Sequence, residues 1–174
     1  MAIKVLFFDN SAVLKHFLKE QGSDIINWLI SSKVELSLHF VINEQVCSEF
    51  VNKIKWFERV GRLSKGQADE IAKKFNKFYK GKVFRVIGQR IISNTKPEQS
   101  LRQIIEELSL TEGKNDWDAL HYQSIVNALA YLGRESTPIL VTADTRFGNK
   151  VSSKGYRVIN PVKQSMEKIK KVLA

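Results

Sequence analysis

Short runs of consecutive apolar residues alternate along this chain with longer stretches in which apolar residues return every third or fourth position. The short runs, Lys4–Phe8, Leu36–Val41, Ile139–Thr142 and Tyr156–Ile159, read as β-strands. The first and third are nearly continuous Val, Ile, Leu or Phe, the pattern of strands covered on both faces. Helices are predicted near 11–20, 24–32, 43–60, 65–80, 98–109, 116–132, 146–154 and 162–173. Ser23 and Ser64 read as N-caps, Gly133 and Gly155 as helix stops, and Pro97 and Pro161 as helix starts. Residues 82–95 carry mixed signals and lean towards helix. No repeat, low-complexity tract or linker breaks the pattern, so one domain over 1–174 is expected.

Strands alternating with helices through short connections predict an α/β fold: a three-layer sandwich with a parallel sheet of four to five strands, enlarged by helices in the middle of the chain, about 55–112. In such sheets ligands bind in the crevice beyond the carboxyl ends of the strands. Two apolar strands run into an acid at that edge, Val5-Leu6-Phe7-Phe8 into Asp9 and Ile139-Leu140-Val141-Thr142 towards Asp144. A helix cap explains one such acid easily and two less comfortably.

Helical geometry supplies two more acids. On the helix containing Val46, Phe50, Ile54 and Phe57, Glu49 borders the apolar stripe while Glu44 points nearly opposite. Asp118 heads the stripe Tyr122, Ile125, Leu129 and Leu132, and Asp116 lies across from it, in the first turn, where negative charge complements the helix dipole. Asp9, Glu49, Asp118 and Asp144 are therefore the candidate site acids, with Asp116 in a capping or supporting role. Carboxylates about 5 Å apart repel by roughly 3 kcal/mol per pair at an effective dielectric of about 20. Such a cluster needs protons or cations, and an all-oxygen ligand set selects Mg²⁺ or Mn²⁺.

Charge sharpens this picture. The chain has a net charge of +10, which suggests a polyanionic partner. Residues 53–90 hold twelve Lys/Arg against three acids, with Trp56, Phe57, Phe75, Phe78, Tyr79 and Phe84 interleaved. The aromatics read as a core-facing stripe and the charges as a nucleic-acid contact, with Lys53, Lys73, Lys74, Lys77 and Arg85 the candidate RNA-binding residues. A carboxylate-bound Mg²⁺ beside a basic groove is equipment for phosphodiester hydrolysis. The 43 % apolar and 26 % charged fractions are those of an ordinary soluble protein. No apolar stretch approaches a membrane span, Asp9 ends any secretory h-region, and a cytoplasmic location is expected. A single cysteine, Cys47, excludes an internal disulfide and a cysteine zinc site and reads as a small core residue. His16, His39 and His121 show no ligand spacing and are expected to serve ordinary packing.

These residues, in this order, resemble the PIN-domain nucleases, and in style the VapC-like toxin ribonucleases of VapBC-type toxin–antitoxin pairs. The matching pieces are FFDNSAV, VINEQVCSEF, NDWDALHYQSIVNAL and LVTADTRFGNKVSSKGYRVINP. They cover both ends of the chain and leave about 55–112 poorly matched. The resemblance implies that Asp9, Glu49, Asp118 and Asp144 bind the catalytic Mg²⁺ or Mn²⁺, that Ser11 and Thr142 are supporting hydroxyls, and that Asn10 is the small polar residue following the first acid. It implies an endoribonuclease acting on single-stranded or structured RNA, a possible cognate antitoxin and a homodimer. Many members carry a further acid two residues beyond the fourth, where this chain has Arg146, so a second metal site is in doubt. Alternatives are an RNA-processing nuclease outside any toxin–antitoxin pair and a non-catalytic nucleic-acid-binding module. A haloacid-dehalogenase-type phosphohydrolase would need an acid at Ser11.

Overall fold

The chain runs β1 (Lys4–Phe8), α1 (Asn10–Phe17), α2 (Ser23–Ser31), β2 (Leu38–Asn43), α3 (Glu44–Arg59), α4 (Lys65–Lys80), β3 (Arg85–Ile87), α5 (Leu101–Glu107), α6 (Asp116–Leu132), β4 (Ile139–Val141), α7 (Thr145–Ser153), β5 (Arg157–Ile159) and α8 (Met166–Leu173). This computed structural model describes residues 4–81, 83–87, 101–109, 116–132 and 138–174, with the backbone alone for 101, 102, 116 and 127–132.

The five strands form one sheet in the order β3-β2-β1-β4-β5, every pair parallel. Alternate side chains of the inner strands enter two separate cores, which is why these strands read as continuously apolar. Leu6, Phe8, Leu38, Phe40, Ile42, Ile139 and Val141 pack on one face with Val13 of α1, Ile26 of α2, Phe50 of α3, Phe75 of α4 and Ile169 of α8. Val5, Phe7, Val41 and Leu140 pack on the other with Ile104 of α5, Tyr122 and Ile125 of α6 and Phe147 and Val151 of α7. This is the three-layer sandwich expected, with five strands.

Successive strands step to one side of β1 through β2 and β3 and then to its other side through β4 and β5. The direction of winding therefore reverses between β1 and β4, and the crevice at their carboxyl ends is the place where such sheets bind ligands. Asp9 follows β1 directly, and Thr142 and Asp144 follow β4.

Four local expectations need correction. Residues 85–87, inside the stretch leaning towards helix, form edge strand β3, paired with Val41–Asn43 of β2; residues 88–95 lie outside the described residues. Strand β2 starts at Leu38 and ends at Asn43, two residues later than expected at both ends, because residues 33–37 are folded into turns closed by Leu36 N to Ser32 O and Leu38 N to Lys33 O. Ser23 is not a cap: Gly22 holds that position, and the Ser23 hydroxyl donates to Leu18 O while accepting from Glu20 N. Pro161 does not start a helix, since Asn160 Oδ1 accepts from the Val162 and Lys163 amides in a tight turn and α8 begins only after its cap, Ser165.

Ser64 does cap α4, in a reciprocal box with Gln67, and Gly155 ends α7 at φ +86°, a conformation that favours glycine. Gly22, at φ +88°, also has no room for a side chain, because a Cβ there would lie 2.6 Å from the Pro161 carbonyl oxygen. Gly133 and Pro97 lie outside the described residues. No described helix is long and apolar enough to cross a membrane.

Candidate functional site

Asp9 is buried at the switch point, 5 % exposed. Its Oδ1 accepts from the Ala12 amide at 2.8 Å, so it does cap α1. It also receives two hydroxyls. Ser11 Oγ donates to its oxygens at 2.8 and 3.0 Å, and Thr142 Oγ1 donates to Oδ2 at 2.5 Å. Each hydroxyl accepts a backbone amide, Ser11 from Ala143 at 2.8 Å and Thr142 from Asp144 at 3.0 Å. With a lone pair so engaged, each hydroxyl has its single proton for Asp9. Burial nevertheless pushes the Asp9 carboxyl up to about 6, against the lowering effects of the nearby His121 charge and of its hydrogen bonds from Thr142, Ala12 and Ser11. The acid is thus both a cap and a fixed carboxylate at the crevice.

Glu49 turns inward on α3 and Glu44 is exposed, as the helical spacing requires. The Glu49 carboxylate meets Nε2 of His121 at 3.2 and 3.3 Å. His121 is 3 % exposed, and its Nδ1 lies 2.9 Å from Asn43 Nδ2. Asn43 caps α3 by accepting the Val46 amide at Oδ1, which directs its amide nitrogen to His121 and to Ser124 Oγ, 3.2 Å away. In the neutral imidazole Nδ1 is therefore the acceptor, and Nε2–H donates to Glu49. Burial lowers the imidazole pKa, but the Glu49 hydrogen bond and charge, with Asp9 and Asp118, outweigh it and hold it above its ordinary value.

His121 is thus no ordinary packing residue. It links α6, on one face of the sheet, to α3 on the other, and it feels three of the four candidate acids. The spacing Trp117, His121, Ser124 places it on one side of α6, and Asn43 lies at the end of β2. Neither role is visible in the sequence, because helical spacing alone does not say which of α6's sides meets α3.

The other predicted residues fall as follows. Asp118 is half-buried and acts on His121 through its charge. Asp116 is the first residue of α6, and its side chain lies outside the described residues. Asp144 is exposed and caps α7 through the Phe147 amide at 2.9 Å. Arg146 is exposed on α7. Among the described residues, no three Asp, Glu, His or Cys side chains converge closely enough to hold a metal ion as they stand; Glu49 is turned onto His121 instead. Cys47 is half-buried against the first core, where burial pushes its thiol up.

Beside Glu49 opens a cleft of about 280 Å³ lined by Asn10, Glu49, Asn52, Lys53, Trp56 and Trp117. Glu49, Asn52, Lys53 and Trp56 stand at i, i+3, i+4 and i+7, a second stripe of α3 next to the core stripe. The Asn10 Oδ1 atom is buried without a hydrogen-bond partner. Phe57, Phe75 and Phe84 are buried and Phe78 and Tyr79 partly so, as a core stripe should be, but Trp56 departs from it at 37 % exposure, and Trp117 is 43 % exposed. Of the five candidate RNA-binding residues, Lys53 lines the cleft. Lys73, Lys74 and Lys77 are exposed on α4, with Lys74 paired to Glu70 at 2.6 Å, and Arg85 is exposed at the start of β3.

Comparison with known proteins bears on the fold. A crystal structure of PAE2754 from Pyrobaculum aerophilum matches with a TM-score of 0.54 at 21 % identity, over 99 % of this chain and 90 % of that one. The structure of VapBC2 from Rickettsia felis, bound to a DNA fragment from its promoter, matches with a TM-score of 0.52 at 16 % identity, over 90 % and 98 %. The fold is thus PIN-like. No protein-family model matches the sequence, and neither does any curated protein.

Proposed function

We propose that this chain is a Mg²⁺- or Mn²⁺-dependent endoribonuclease that hydrolyses phosphodiester bonds of RNA, as the toxin of a VapBC-type toxin–antitoxin pair. The observation that carries the reading is the Asp9 site: a buried carboxylate held by two hydroxyls at the switch point of a parallel sheet, with Glu49 and Asp118 grouped around His121. The likeness of the fold to a VapBC2 structure supports the toxin assignment, and the excess of basic residues supports a polyanionic substrate.

The donor set fits a hard divalent ion in chemistry, since Asp9, Glu49, Asp118 and Asp144 offer only oxygens, and the orphaned Asn10 Oδ1 suits a donor such as the water of a hydrated ion. Those four acids would hold the ion, Glu49 exchanging His121 for it. A bound ion of this kind supplies a water of lowered pKa and neutralises developing charge on the phosphate. Ser11 and Thr142 fix the Asp9 carboxylate, so that it needs no reorientation when the ion binds. In the ion-free protein His121 keeps Glu49 at the crevice with its charge partnered. Lys53 is positioned to meet a backbone phosphate. Water is the nucleophile in this reading, leaving 5′-phosphate and 3′-hydroxyl ends.

The test is incubation of single-stranded RNA with the purified protein and Mn²⁺ or EDTA, followed by analysis of the ends. Metal-dependent 5′-phosphate products are expected; 2′,3′-cyclic phosphate ends would overturn the mechanism. The pairing of Glu49 with His121 favours a second reading, a nucleic-acid-binding module without catalysis, and binding without cleavage in the same assay would select it.

A further inference from the structure

The cleft beside the acids carries a feature that hydrolysis does not require. Trp56 of α3 and Trp117 of α6 both line it, 37 % and 43 % exposed. They come from helices on opposite faces of the sheet, so the cleft has an indole on each wall. Leaving over a third of each of these two tryptophans in water forfeits hydrophobic stabilisation in the unbound chain. The Lys53 ammonium rests 4.2 Å from the centroid of the Trp56 ring. At about 280 Å³ the cleft falls just below the roughly 300–1,000 Å³ usual for small-molecule pockets, which suits one flat ring rather than an enclosed metabolite. Aromatic planes joined to a cation are the means by which proteins hold single strands, the plane taking a base and the cation a phosphate.

We propose that Trp56 and Trp117 form a base-stacking subsite for unpaired RNA, adjoining the acid crevice. An incoming base takes the ring face on which Lys53 rests, and the ammonium turns to the flanking phosphate. A duplex hides its base faces, so the subsite selects single strands. The proposal rests on the nuclease reading for its relation to cleavage, but not for binding.

Binding of oligouridylate and oligoadenylate, and of a duplex of equal length, measured in EDTA tests this directly. Trp56→Ala and Trp117→Ala should each weaken single-strand binding about 5- to 150-fold, the equivalent of the roughly 1–3 kcal/mol of one stacked base. Their duplex binding and the dependence of affinity on salt should not change, and Trp56→Phe should restore most of the loss. Lys53→Met should instead reduce the slope of log affinity against log salt by about 0.7, one single-strand phosphate contact. Melting temperatures of the variants verify folding. Single-strand affinity within twofold of the parent in both alanine variants would overturn the subsite and give the cleft to an apolar side chain of a protein partner; equal losses on duplex and single strand would overturn it too. If RNA binds through these tryptophans but is not cut with Mn²⁺, the subsite stands and the nuclease reading falls. If both alanine variants cut RNA with unchanged kcat/KM, the reverse holds.

Discussion

The Glu49 carboxylate and the His121 imidazole, 72 residues apart in sequence, meet at 3.2 Å across the carboxyl edge of the sheet. Asn43 holds the other ring nitrogen, so the imidazole is fixed from both sides. Replacing His121 by Ala removes these bonds, leaves Asn43 with one fewer acceptor and opens a cavity. A loss of about 2–4 kcal/mol is expected in chemical denaturation of the metal-free protein. Glu49→Gln keeps the shape and can still accept from Nε2–H, so it should cost under about 1 kcal/mol while reducing Mn²⁺-linked stabilisation.

Asp9→Asn should cut RNA cleavage by at least about 100-fold, the upper range for losing a group that only orients a metal ligand. The cap survives, since Asn accepts the Ala12 amide as well as Asp does. The buried charge disappears, so at pH 7.5 without metal the variant should unfold at higher denaturant than the parent. Mn²⁺ should then raise its melting temperature less than it raises the parent's. Retained activity and metal response would leave Asp9 as a cap and nothing more.

Both perturbed groups at the crevice have pKa values raised in the folded state, and the signs agree. Asp9 moves from 3.8 to about 6, so the native state holds its proton more tightly and stability falls as pH rises across that interval, by on the order of 3 kcal/mol. The contribution of His121 is fully present below its unfolded value of 6.5 and is lost as pH rises through its folded value. In EDTA the protein should therefore be more stable near pH 5 than near pH 8. The decline should be shallower in Asp9→Asn, which denaturant midpoints across that range will show.

Lys73 and Lys77 are exposed on α4, on the side away from buried Phe75. Reversing both to Glu should lower RNA affinity and flatten its salt dependence without changing the melting temperature by more than about 2 °C. Lys74→Glu alone should do less, because Glu70 already pairs with that ammonium at 2.6 Å.

Substituting Gly22 by Ala should destabilise the protein by at least about 2 kcal/mol, through both the left-handed backbone and the approach of Pro161. A melting curve reads it directly.

The strands buried on both faces were legible because continuous Val, Leu, Ile and Phe leave little else for β1 and β4 to be. Asp9 announced itself as an acid after such a run, and Glu49 separated from Glu44 because a helical turn puts them on different sides. β3 was not legible, having only three residues and a single buried side chain, Ile87, at the sheet's edge. His121 and Asn43 were not legible either, since their meaning lies in each other, 78 positions apart. Trp56 belonged by spacing to a stripe of aromatics, and only the packing of α3 shows that its ring leaves the core.

The hydroxyl of Thr142 reaches Asp9 from 133 positions along the chain, and the amides that orient Ser11 and Thr142 belong to Ala143 and Asp144. A ribosome making this chain must therefore pass residue 144 before the first acid acquires the full set of its supports. Until then β1 has β2 as a neighbour but no β4, and Asp9 has only the partners that α1 supplies, the Ala12 amide and the Ser11 hydroxyl.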